Sequence, residues 1–124
     1  MKKAIIDEFG KILIQSVRDK SILDWDMILD GRMKSERARR IQKELLSYDD
    51  NDKKILQEII PQIVDTTLHH LLWTLEQSDS ISVAIQTDKD SISNIKNESD
   101  GLAGELYSED GWIARFSKQR HFEQ

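Results

Sequence analysis

The chain contains no cysteine, a single proline and only five glycines in 124 residues, and aromatic side chains make up just 6% of it. Without cysteine there is no disulfide scaffold, no thiolate zinc site and no thiol nucleophile, and the composition fits a reducing compartment. No long hydrophobic run is present either. The most apolar stretches are broken by Gln, Asp, Thr or His well short of the roughly 18 residues that a membrane-spanning helix needs. After Met1-Lys2-Lys3 only two or three apolar residues precede Asp7 and Glu8, too few for the core of a signal peptide. Phosphate-cradling glycine loops and the GxSxG elbow are missing as well. The expectation is a soluble cytoplasmic protein of one domain, residues 1–124, large enough to bury a core and too small to hold two.

What the chain does have is charge, unevenly spread. The net charge is −5, from 18 basic and 23 acidic residues. Residues 1–60 hold 13 Lys/Arg against 12 Asp/Glu, whereas residues 61–124 hold 5 against 11. Within 65–110 only Lys89 and Lys96 oppose ten acids, leaving −8. The basic residues gather instead in 32–43, as Arg32, Lys34, Arg37, Arg39, Arg40 and Lys43. A field of one sign speeds encounter with partners of the other, so the acidic portion disfavours nucleic acid and favours a basic protein.

The order of elements reads as α+β, with an N-terminal bundle of three to four helices before a small antiparallel sheet. Ile5, Ile6, Phe9, Ile12, Leu13 and Val17 make an amphipathic stripe over 3–18. Gly10 lies inside it at a cost of about 1 kcal/mol relative to Ala, so packing must hold that helix. Residues 21–31 form a short helix or turn closed by Gly31. Ser35 and Glu36 open a helix with apolar line Ala38, Ile41, Leu45 and Tyr48, and Glu36–Arg40 and Arg40–Glu44 are spaced to pair. Asp49-Asp-Asn-Asp52 supplies caps for a helix over 52–78. That helix is apolar over more than one face, the pattern of a helix covered on several sides. At Pro61 it either kinks or divides in two.

After Ser78 the grammar changes. Ile81, Val83 and Ile85 alternate with polar residues as a half-buried strand near 81–86. Residues 88–100 read as a loop or weak helix anchored by Ile92 and Ile95. The segment 104–117 has the form of a hairpin turning at Asp110-Gly111, with Trp112 inward and Tyr107 at the surface. The helical part is thus 1–78, the strand and hairpin part 79–117, and 118–124 a frayed tail.

Three chemistries follow. Asp65 lies four residues before His69, with Glu76 on much the same side, a spacing suited to metal ligation or to a carboxylate-oriented imidazole. A metal site needs further ligands that nothing supplies, HExxH is absent, and whether His69 and His70 belong to a core or a site stays open. The basic run 32–43 could follow nucleic-acid phosphates, but it contains no aromatic and sits in an acidic chain. The calcium-loop pattern fails at Asp24–Gly31, where Ile28 and Ser35 occupy ligand positions. The acids Asp88, Asp90, Glu98, Asp100, Glu105, Glu109 and Asp110, with Tyr107, form the third candidate, a protein-binding surface.

Leu68-His-His-Leu-Leu-Trp-Thr-Leu-Glu-Gln77 and Asp100-Gly-Leu-Ala-Gly-Glu-Leu-Tyr-Ser-Glu-Asp-Gly-Trp-Ile-Ala-Arg-Phe-Ser117 resemble segments of small bacterial proteins. The overall format is similar to the immunity proteins that protect bacteria from polymorphic or contact-dependent toxins. That resemblance implies a short, acidic, cysteine-free cytosolic protein that plugs or covers a basic toxin domain such as a nuclease. The expectation is therefore a non-enzymatic inhibitor without a cofactor, its partner a basic protein, with no membrane and no nucleic acid. A metal-dependent enzyme on Asp65, His69 and Glu76 and a nucleic-acid regulator on 32–43 are the alternatives, and oligomeric state is open.

Overall fold

The computed structural model describes residues 3–121, and in it the apolar stripe at the start of the chain winds into one continuous rod. α1 (Lys3–Ile12) runs through a single π turn (Leu13–Arg18) into α2 (Asp19–Leu29). The short helix or turn expected at 21–31 is thus the second half of the first helix. In the π turn the Asp19 amide donates back five residues to the Ile14 carbonyl. The turn is therefore wider, and Arg18 rather than Val17 comes round to the face set by Leu13 and Ile14. Val17 and Ile12, both placed in the stripe by their spacing, lie at the surface, and Arg18 is completely buried. The rod ends where expected. Gly31 takes φ +81°, the Arg32 amide donates to the Met27 carbonyl at 2.8 Å, and the Gly31 amide to that of Ile28 at 3.3 Å, the paired closure of a left-handed C-terminus.

α3 (Glu36–Glu44) opens on Ser35, whose Oγ accepts from the Ala38 amide at 3.1 Å. Asp49 then starts α4 (Asp50–Gln77) with a reciprocal cap: its carboxylate accepts from the Asp52 amide at 2.8 Å, and that of Asp52 from the Asp49 amide at 3.2 Å. α4 does not divide at Pro61 but runs through it as one 28-residue helix. Proline has no N–H, so the carbonyl of Gln57, four residues earlier, loses its helical donor. Arg120 replaces it, donating to that oxygen from Nε at 3.1 Å and Nη2 at 2.6 Å. The same guanidinium grips Asp26 on α2 at 2.7 and 2.9 Å. The tail expected to fray over 118–124 is therefore tied down as far as Arg120, and residues 122–124 lie outside the described ones.

The fold is α+β, a helical bundle followed by a small antiparallel sheet. β1 (Ile85–Gln86) pairs with β2 (Ser91–Ile92), Ile85 opposite Ile92, around a turn closed by the Thr87 amide on the Asp90 carbonyl at 2.8 Å. The strand expected over 81–86 is thus short, and its partner comes from 88–100, which was read as loop or weak helix and continues as a 3₁₀ turn, Ile95–Glu98. The hairpin expected over 104–117 does not form. A 3₁₀ turn (Ala103–Leu106) and α5 (Trp112–Phe116) stand there instead. Period-two reading set Trp112 and Ile113 on opposite faces, yet both are buried, with Phe116 one helical turn on. Five residues are too few for period to separate helix from strand. Gly111 supplies no hairpin turn; it starts α5, and a Cβ there would fall 2.0 Å from the Tyr107 carbonyl oxygen.

Trp112 is the largest fully buried side chain. It lies edge-on to Phe9 at 5.9 Å and directly over Gly10, where an added Cβ would meet the indole at 2.3 Å. That contact explains a glycine in mid-helix. Around it close Ile6 and Ile14 from the rod, Leu68 and Leu72 from α4, and Ile95, Leu102 and Leu106 from the C-terminal segment. Asp7 accepts from Trp112 Nε1 and from both terminal nitrogens of Arg115 at 3.2 and 2.9 Å, and those Arg115 bonds hold its carboxyl below the usual range.

Two outcomes follow from these contacts. Gly10→Ala gains about 1 kcal/mol of helix propensity but forces Trp112 aside at a cost of about 3 kcal/mol, so thermal unfolding shows a net loss of about 2 kcal/mol. Arg120→Ala destabilises the parent more than it destabilises Pro61→Ala, where the restored amide satisfies Gln57. A double-mutant cycle by urea denaturation gives a coupling of about 0.5–2 kcal/mol.

Candidate functional site

Asp65, His69 and Glu76 do share a side of α4, as their spacing requires, but each is drawn to a different element. Asp65 receives the buried Arg18 guanidinium on both oxygens, at 2.6 and 3.2 Å. His69 Nδ1 lies 2.9 Å from the Tyr107 hydroxyl, and Glu76 accepts the Leu102 amide at the start of a 3₁₀ turn. Among the described residues no three His, Asp or Glu side chains gather as metal ligands. The trio therefore fastens α4 to the π turn and to the C-terminal segment. His70 is exposed and meets only the edge of His69, at 5.3 Å between centroids.

The acidic candidates lie on the segment that this trio fixes. Asp88 is in the β1–β2 turn, Asp90 follows it and accepts the Ser91 amide at 2.8 Å, and Glu98 and Asp100 flank the end of a 3₁₀ turn. Glu105 accepts from Ser99 Oγ at 3.4 Å, and Glu109 and Asp110 precede α5. All but Glu105 are exposed. Among the described residues Asp88, Glu98, Asp100, Glu105, Glu109 and Asp110 form no ion pair. Of the cations nearby, Lys96 is engaged with Asp79 at 3.8 Å and the Ser78 carbonyl, Arg115 bonds Asp7 and reaches Glu105 and Asp110 only through space, and Lys89 stands exposed beside Asp88. Buried Ile92, Ile95, Leu102 and Leu106 anchor the backbone between these acids, so the carboxylates are displayed on a fixed frame.

The aromatic anchors expected beside them are not at the surface. Trp112 is inward, as expected, but Tyr107 is half-buried against the core with its hydroxyl on His69. Burial, and secondarily the charge of Asp65, pushes the Tyr107 pKa above its ordinary value.

On α3, Arg37 stacks over the Trp25 ring at 5.5 Å, and Arg39, Arg40 and Lys43 are exposed. The Glu36–Arg40 and Arg40–Glu44 pairs do not form; the ion pair at this end is Arg32 to Asp30 at 2.7 Å, open to solvent.

One feature escaped the sequence. α3 and α4 each pack mainly on α2, and between them opens a slot of about 340 Å³ lined without a charged side chain. Trp25 and Leu29 of α2, Ile41 and Leu45 of the α3 arm, Tyr48, and Leu56, Ile59, Ile60, Ile63 and Val64 of α4 form it. The signal was present in α4, whose apolar residues cover more than one face. Neighbours were expected on several sides; the described chain supplies α2, the π turn and the C-terminal segment, and leaves the flank of Ile55, Ile59 and Ile63 open.

Asp65→Ala leaves the Arg18 guanidinium buried without its carboxylate and costs about 3–5 kcal/mol in urea denaturation. Glu76→Gln keeps an acceptor for the Leu102 amide and costs less than about 1 kcal/mol. Comparable large losses at both positions would contradict these assigned contacts.

Comparison with protein-family models, with curated proteins and with solved structures finds no match to this chain.

Proposed function

We propose that this chain is a non-enzymatic binding protein of the immunity type, which neutralises a basic toxin domain through the acidic surface of residues 88–110. The observation that carries this reading is the exposed carboxylates of Asp88, Glu98, Asp100, Glu109 and Asp110, which form no ion pair among the described residues and stand on a backbone that the core fixes. Carboxylates tied into ion pairs would have their field cancelled locally. These keep theirs, and a single-sign surface steers an oppositely charged partner at rates well above those of neutral encounter.

In this reading the acids meet the Lys and Arg side chains with which a nuclease holds phosphate, and by covering them exclude the substrate. The protein acts in the cytoplasm, where the toxin would find its target. With Trp112 buried and Tyr107 hydrogen-bonded inward, the acidic face offers charge and few apolar anchors, so it governs association more than residence time.

The test uses the toxin domain encoded beside this gene. Reversing Glu105, Glu109 and Asp110 together to Lys lowers the association rate at low salt by about tenfold or more, with dissociation changed far less. An unchanged association rate, in a variant whose circular dichroism is native, sinks the proposed surface.

A further inference from the structure

The slot between α2, α3 and α4 holds a second inference, independent of the acidic segment. Residues of α3, α4 and α2 line it together with Tyr48, and its lining carries no charge. On the outer flank of α4, Ile55, Ile59 and Ile63 are 47%, 40% and 60% exposed. Their i, i+4, i+8 spacing makes a ridge about 12 Å long, at about 1.5 Å of rise per residue. Ile59 and Ile63 also line the slot, so one face carries both a projecting ridge and the cleft beside it.

We propose that two copies of this chain pair through this face about a two-fold axis, the isoleucine ridge of each entering the slot of the other. Three observations favour a second copy as the occupant. The first is shape: a face that carries both ridge and slot complements itself, which is what a two-fold interface demands.

The second is area. Tyr48, Ile55, Ile59 and Ile63 are 45%, 47%, 40% and 60% exposed, which on side chains of roughly 150–200 Å² each leaves about 300–400 Å² of apolar surface, within the range of patches that mark interaction sites. A homodimer interface of roughly 65% apolar content built on that patch and the slot lining beside it would approach about 800 Å² per partner, the size of a standard stable interface. The third is charge. Arg37 lies over the lining Trp25, and exposed Arg40 and Asp49 adjoin the lining Ile41 and Tyr48 in sequence; charges of one sign there would repel a second copy, and these are of both.

Sedimentation equilibrium of the full chain tests the pairing. The wild type sediments as a dimer at concentrations up to about 100 µM, with a dissociation constant in the micromolar range or below. Ile63→Asp and, separately, Ile59→Ser weaken the dimer by at least about tenfold while circular dichroism stays native; both side chains are exposed, so the fold does not depend on them. Ile12→Asp, at an isoleucine 55% exposed on α1 outside the slot, leaves the dimer intact. A wild type that stays monomeric overturns the proposal and frees the slot for a helix of another protein. A dimer that survives both slot variants, or that Ile12→Asp breaks equally, overturns it as well.

Discussion

The Arg18 guanidinium is the tie on which the arrangement depends. It has no exposed surface, and its donors are all used: Asp65 on two oxygens, Asp19 at 3.4 Å, Ser117 Oγ at 2.8 Å and the Arg120 carbonyl at 3.1 Å. A buried cation is tolerated only when its hydrogen-bonding capacity is met in full. That requirement joins three parts of the chain at one point: the π turn, the middle of α4 and the segment after α5. The π turn exists in this fold as the device that aims Arg18 inward, since a regular α-turn would bring Val17 to that face.

A second tie compensates a defect. Pro61 breaks the hydrogen-bond ladder of the longest helix, and the residue that repairs it, Arg120, lies 63 positions from the Gln57 oxygen it reaches. Because Arg120 also holds Asp26 and offers its carbonyl to Arg18, the end of the described chain forms a strap across α2 and α4. The strap pulls the whole C-terminal segment back over the helices, and His69 and Glu76 pin it from beneath. The acids at 88–110 sit where they do because of these polar contacts and the apolar anchors between them.

The parts of this architecture that are local in sequence were legible there. Gly31 as a helix end and Ser35 and Asp49 as caps depend on residues within a turn or two, and the structure places each as expected. The segment 104–117 was misread because five helical residues carry too little period to tell helix from strand, and Asp110-Gly111 mimics a turn. Spacing put Asp65 and His69 on one side of α4, but nothing in spacing reveals that the partner of Asp65 is an arginine 47 residues away. Gly10 was legible as an anomaly without a cause, because its cause, Trp112, lies about a hundred residues downstream. The slot hid for a related reason: composition reveals that α4 is apolar on several sides, not which of them the chain itself covers.

α4 separates the two surfaces. Ile63 and Asp65 are two residues apart, which on an α-helix sets them about 200° apart around the axis. Asp65 faces Arg18 and the strapped C-terminal segment, and Ile63 faces the slot. The 88–110 segment, with seven acids against Lys89 and Lys96, repels its own copy at close range. Pairing through the far side of α4 would direct that segment away from the partner copy instead. The proposed dimer and the proposed capture of a basic partner are thus compatible in one molecule. Substitutions on the two sides that share no contact are expected to act additively, so dimerisation and partner binding can be separated by mutation even though one helix carries both.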